Sequence, residues 1–401
     1  MATTEYQSPY LYPRTMVLIN KGGHKEQAAL DKFEKLHTTN RLAEIRENSV
    51  KGIFDRKHLQ DIHQKIFQDV YEWAGKTRTE DILKGPKGDR TLFAFKEEIA
   101  EKVDRVSREI KEAHYLRGAD KATFVDKLST VYADLNSIHP FREGNGRTTR
   151  EFLGSLAKQA GYELALGNIN KQQWNEAAKL SHLRGDMQPI RQILGNASTP
   201  MRSISFQNDR EGVALAKHPE LDKAYMKLAQ VRQGLSDSLS QPEKDAAIVQ
   251  ARAEIKHMLD QGKLPKAEVP IEASKQVIDH SAAFRGLIVR EPQAGQKYHG
   301  EVVARSSHHT LIKVASGEAL RYENSVLGRE LQPGDKVALS VGIGKLSTHS
   351  ETISKTSGEA LKQQAITSHQ IGQNAGKDQV GGQKMEVANQ QAIKMSMSIK
   401  R

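Results

Sequence analysis

Residues 139–150 read His-Pro-Phe-Arg-Glu-Gly-Asn-Gly-Arg-Thr-Thr-Arg, a polar segment between two stretches of strong apolar periodicity. Upstream, Phe124, Leu128, Val131, Leu135 and Ile138 recur at spacings of three and four, the mark of one buried helix face. Downstream, Phe152, Leu153, Leu156, Ala157 and Ala160 repeat the pattern as far as Gly161, a helix stop. Such a chain folds as two buried helices joined by a tight polar loop. A plain connector needs none of the three arginines.

The residue types point to a polyphosphate site. Gly144 and Gly146 permit positive φ and close backbone approach, so that consecutive N–H groups converge on one anion. The following helix adds its unpaired first-turn N–H groups and the positive end of its dipole. Asn145 can hold the loop or donate its amide to a phosphate oxygen. Arg147 and Arg150, three apart, share a helix face and reach outlying oxygens. Glu143 would repel phosphate unless a cation lies between them, so it reads as a Mg²⁺ ligand. His139, with an ordinary pKa of about 6.5, is the general base for a hydroxyl attacking phosphorus.

The segment closely resembles the Fic family signature, His-x-Phe-x-(Asp/Glu)-Gly-Asn-Gly-Arg-x-x-Arg, with every specified position present. The similarity extends over roughly residues 10–200, taking in Ile62 to Phe67, Tyr71 to Gly75, Trp174 with Ala177 and Ala178, and Gly185 to Pro189. The resemblance implies a mostly helical domain that transfers AMP from ATP to a Ser, Thr or Tyr hydroxyl of another protein, with pyrophosphate leaving. It also implies roles: His139 deprotonates the hydroxyl, Phe141 anchors the loop and Glu143 holds Mg²⁺ against the α- and β-phosphates. Gly144, Asn145 and Gly146 form the anion hole, Arg147 contacts the β-phosphate and Arg150 the γ-phosphate. Two alternatives stand beside AMP transfer. One is transfer of a UMP, phosphoryl or phosphocholine group; the loop differs from the Doc-type kinase variant. The other is a plasmid-associated nucleic-acid-binding protein with a vestigial Fic domain.

The 401 residues, 37% hydrophobic, suggest two or three globular units. A net charge of +11 allows acidic partners but leaves nucleic-acid binding open, because the basic residues are scattered among 49 acids. Zero cysteines exclude disulfides and thiolate chemistry. No apolar run has the length of a membrane span and no secretory leader is visible, so a cytoplasmic protein is expected. The alternative is translocation into another cell, with the basic end Ile399–Arg401 as a secretion signal.

Four regions follow: a Fic-like adenylyltransferase domain over 1–200, a helical connector over 201–282, a small OB-like β-barrel over 283–348 and a polar flexible tail over 349–401. Within the first, helices are expected over about 25–48, from the N-cap Asp55 to Val70, and over 95–116. His58 and His63 are five apart, the wrong spacing for a shared face, and read as surface or groove residues. Gly85-Pro86 and Gly88-Asp89 punctuate a hairpin over 76–94; the resemblance makes it a flap on which an extended target segment docks. Many family members carry an inhibitory (Ser/Thr)-x-x-x-Glu-(Gly/Asn) helix. Here Glu47-Asn48, Glu211-Gly212 and Glu323-Asn324 lack the Ser or Thr, which suggests an unrestrained effector or a toxin whose separate antitoxin supplies a Glu to Arg150. Runs at 298–304, 309–314, 319–322 and 336–341 are the barrel strands. Gly342 to Lys345 is no phosphate loop, because Leu339 stands where its first glycine belongs.

Overall fold

The computed structural model describes residues 8–84 and 91–340. The expected tail over 349–401, the flap tip at 85–90 and the Gly342–Lys345 stretch fall outside them.

The first helices, α1 (Gln27–Glu47) and α2 (Arg56–Phe67), pack together, and α2 starts where the Asp55 carboxylate accepts the His58 N–H at 2.9 Å. The expected flap is an antiparallel pair, β1 (Leu83–Lys84) and β2 (Thr91–Leu92), with Leu83 opposite Leu92. The helix expected over 95–116 is broken. Its middle is α3 (Ile99–Glu112), and at His114, Tyr115 and Leu116 positive φ ends the run. Then come α4 (Lys121–Ile138), α5 (Asn145–Gln159), β3 (Tyr162–Leu164), α6 (Lys171–Arg184), α7 (Gln188–Ala197) and β4 (Ser198–Pro200), which pairs antiparallel with β3. α4 is the axis of this part, with α3, α5, α6 and α7 packed around it. Its buried Phe124, Val125, Leu128, Val131, Tyr132 and Leu135 cover more than one face, as a helix surrounded by others requires. No helix among the described residues is long and apolar enough to cross a membrane.

The next helices are α8 (Met201–Asn208), α9 (Glu211–Lys217), α10 (Asp222–Gln233) and α11 (Gln241–Asp260). They enclose a second core of Phe206, Leu221, Tyr225, Leu228, Ile255 and Leu259. After α12 (Ile271–Phe284) come β5 (Ile288–Arg290), β6 (Lys297–Arg305), β7 (His309–Ala315), β8 (Glu318–Glu323) and β9 (Lys336–Ser340). They form one sheet in the order β5-β8-β7-β6-β9, with β5 parallel to β8 and the other pairs antiparallel. Among the described residues the edge strands β5 and β9 do not pair with each other, so the described strands form an open sheet without the closure of the expected OB-like barrel, part of which lies beyond Ser340. One face is covered by α12, whose Ile278 and Ala282 meet Ala304, Leu311 and Ala319. The other buries Val302, Ile312, Leu320 and Tyr322. Val302 and Ala304 would share a face in a regular strand, and a bulge between them switches sides.

Arg117, after α3, pairs with Asp335 of the β8–β9 connection at 2.6 Å, with only 9% of its side chain exposed. Removing one partner strands the other charge in a dry setting. Arg117→Ala is expected to lower stability by about 3 kcal/mol, read by urea denaturation; a loss below about 1 kcal/mol would place the pair among solvated surface bridges.

Candidate active site

The loop between α4 and α5 is tied by its own side chains. His139 caps α4 in the left-handed region at φ 51°, turning the chain out of the helix. Asn145 then clasps the loop: its Oδ1 accepts the Phe141 N–H at 2.9 Å and its Nδ2 donates to the Phe141 carbonyl at 2.7 Å. These two bonds hold the loop, the first of the two readings from sequence. Gly144 sits at φ 83°, where a Cβ would lie 2.2 Å from the Phe67 ring, so neither its backbone nor its space admits a side chain.

His63 supports the loop from below. Its ring stacks on Phe141 with centroids 3.9 Å apart, Nε2 lies 3.0 Å from the Glu143 carbonyl, and Nδ1 accepts the Gly75 N–H at 2.8 Å. Those partners fix the Nε2–H tautomer. Burial pushes its pKa down to about 4, so the ring is neutral. Both His63 and His58, expected at the surface or in a groove, are thus buried, 0% and 2% exposed. His58 Nδ1 accepts the Phe54 N–H and its Nε2 meets the Val50 carbonyl at 3.0 Å.

Arg78 is the other support. With no side-chain exposure, it donates to the carbonyls of His139 (2.9 Å), Glu80 (2.8 Å), Ile138 (3.3 Å) and Ala94. Backbone bonds from Arg78 N–H to Pro140 and from Ala94 N–H to Ser137 run beside it. The base of the hairpin is therefore stitched to the end of α4. Phe93, just past β2, stacks on the His139 ring at 4.0 Å.

The His139 ring is 8% exposed. Its Nδ1 faces the Asn136 carbonyl at 3.4 Å, and its Nε2 is buried with no hydrogen-bond partner. Burial, with Lys84 and Arg78 adding positive charge nearby, drives its pKa down to about 3, so the ring is neutral in the folded chain.

Glu143 Oε1 accepts the Gly144 N–H at 2.9 Å and lies 3.6 Å from the Arg147 guanidinium. Its side chain is 37% exposed. Among the described residues no cluster of three or more acidic or histidine side chains could enclose a metal. One open carboxylate beside a phosphate cradle does suit Mg²⁺, which takes most of its ligands from water and phosphate. Gly146 opens the first turn of α5, where a Cβ would meet only the Arg150 guanidinium at 3.5 Å. Arg147 lies over the Phe67 ring, donates to Glu34 at 2.7 Å and reaches Thr38 at 3.3 Å. Arg150 has no hydrogen-bond or ion-pair partner among the described residues, and its burial lowers its pKa. The seven site residues read from sequence thus lie in one loop and one helix turn. His63, Arg78, Phe93 and Glu34 were missed; each comes from a distant segment and no spacing rule marks it.

The profile of the Fic/DOC family matches residues 53–157. The chain is 39% identical over 170 residues to protein adenylyltransferase VbhT of Bartonella schoenbuchensis, covering 42% of this chain and 35% of that protein. It is 34% identical over 190 residues to the probable protein adenylyltransferase Fic of Escherichia coli, covering 47% of this chain and 91% of that protein. Among solved structures, the Bartonella tribocorum effector BepC with bound AMPPNP superposes with a TM-score of 0.45 at 27% identity, covering 48% of this chain and 96% of that chain. The chain spans 35% of VbhT and 39% of a Bartonella henselae protein adenylyltransferase, well under the full length of either relative.

His63 and His139 are neutral when folded, whereas unfolded imidazoles titrate near pH 6.5. Between about pH 4 and 6.5 the unfolded chain binds more protons, so stability should rise with pH across that window and be fully present above it. In urea denaturation from pH 4 to 7, His63→Phe should flatten this acid slope. At pH 7 the same variant should cost about 2–4 kcal/mol, since the Gly75 N–H and Glu143 carbonyl lose their partner. An unchanged slope would mean that the folded His63 titrates like a solvated imidazole.

Proposed function

The chain belongs to the Fic/DOC family, and from that premise we propose that it is a protein adenylyltransferase, moving AMP from ATP to a Ser, Thr or Tyr hydroxyl of a target protein. The observation that carries the reading is the pairing of two unsatisfied groups on one loop: a neutral, partnerless His139 Nε2 and a partnerless Arg150 guanidinium. One awaits a proton and the other an anion.

As the hydroxyl oxygen bonds to the α-phosphorus, its proton passes to His139 Nε2. The bond from the α-phosphorus to the bridging oxygen breaks, and pyrophosphate leaves. The α5 N-terminus, from Gly144 through Gly146, cradles the phosphates, with Arg147 and Arg150 on the β and γ groups. Glu143 would hold Mg²⁺, which neutralises phosphate charge when bound. Arg78 and Phe93 position the base rather than touching substrate. Leu83, Leu92 and Phe95, all exposed around the hairpin, support its reading as the ledge where an extended target segment adds as a strand. A separate antitoxin supplying a carboxylate to Arg150 belongs to the same reading, because no acid of the described residues pairs with that side chain. The division into 1–200, 201–282 and 283–348 is likewise a proposal; separate apolar clusters support the boundary at 200, whereas Ile278 and Ala282 of α12 pack on the sheet across the boundary at 282.

The test supplies ATP labelled at the α- or γ-phosphate to the full chain in a bacterial or host lysate, with Mg²⁺. Label from the α position should appear on protein and fall about 100-fold or more in His139→Ala. Transfer of γ-label would make the enzyme a kinase, and transfer only from α-labelled UTP a uridylyltransferase; either replaces the AMP reading.

A further inference from the structure

A second concave site lies away from the 139–150 loop. A cavity of about 510 Å³ opens where the end of α5, the start of α8, the α9–α10 turn and the end of β6 meet. Lys158, Arg202, Lys223 and Arg285 all stand on its wall. Among the described residues none of the four forms an ion pair. Arg202 and Arg285 hydrogen-bond to neutral groups, Arg202 to the Gly262 carbonyl and Arg285 to the Ala216 and Lys217 carbonyls and Ser281, and the Glu220 carboxylate acts on both without pairing with either.

The three carboxylates on the same wall are already engaged. Glu220 faces His218 at 3.4 Å, Asp222 accepts the Ser307 N–H at 2.7 Å and its hydroxyl at 2.8 Å, and Glu330 pairs with Arg305. Positive charge therefore exceeds negative in a confined space.

We propose that this cavity binds a small anion carrying several phosphate or carboxylate charges, held by Lys158, Arg202 and Lys223. The volume suits a compact ligand. The wall offers no free ring for a base: its one Tyr, Tyr162, already stacks on Phe124 at 3.9 Å and donates its hydroxyl to the Ala119 carbonyl. That argues against a nucleoside or a single-stranded nucleic acid as occupant. Because the wall draws on the first helical part, α9–α10 and the sheet, a bound anion would tie the three together.

The test uses the full chain with Arg150→Ala, which weakens anion binding at the 139–150 loop. Inorganic pyrophosphate and citrate are titrated separately by calorimetry at low ionic strength, the two probes separating phosphate from carboxylate recognition. At least one should bind. Adding Lys158→Ala and Lys223→Ala, which break no ion pair, should weaken that binding about tenfold or more. The Lys158→Arg, Lys223→Arg pair should keep it, which separates charge from packing. No binding of either probe, or equal affinity with and without the two lysines, overturns the proposal.

Discussion

The candidate site depends on one reciprocal contact, the amide of Asn145 bonded to both the N–H and the carbonyl of Phe141. A buried amide left without partners costs about 1–3 kcal/mol per group, so this clasp is made or lost as a unit. Once made, it fixes the distance between the end of α4 and the start of α5 to a few residues. Gly144 then turns through the left-handed region under the Phe67 ring, and α5 begins at Asn145 with the first-turn N–H groups that every helix leaves without an intrahelical partner. The proposed anion cradle is thus a consequence of loop closure rather than a separate construction.

Charge balance around the cradle separates the two arginines. Arg147 is held by Glu34 of α1 and lies near Glu143, while Arg150 is open. Two cations and two carboxylates leave the unliganded loop close to neutral. A nucleoside triphosphate brought there would carry uncompensated negative charge, which supports a divalent cation at Glu143 as part of the proposed chemistry. Glu34 also accepts from the Tyr71 hydroxyl, so its position is built into the packing of α1 on α2. It differs from the inhibitory glutamate sought in the sequence, which would meet the second arginine.

Helical periodicity located α4 and α5, and local chemistry located the cap of α2 at Asp55, because both signals act within a few residues. The residues proposed as cradle, base and metal ligand are contiguous, so the loop that carries them could be picked out for the same reason. His63 and Arg78 were not, since their partners lie 80 and 61 residues away. Strand patterns at Val302, Ile312 and Leu320 marked a sheet. They carried no information on closure, which depends on tilt and on the edge strands pairing, and β5 with its parallel partner β8 left no trace in alternation.

His139 combines two costs that a structural residue would avoid. A non-glycine side chain in the left-handed region gives up about 1–2 kcal/mol, and its Nε2 is buried without a partner. Arg78 offsets them by holding the His139 and Ile138 carbonyls from behind, and Phe93 by covering the ring. Both supports belong to the hairpin segment. A segment that stiffens the imidazole is therefore also the one whose outer strands face solvent. On the proposed reading, a target segment pairing with those strands would lie beside Arg78 and Phe93, the two residues that hold His139.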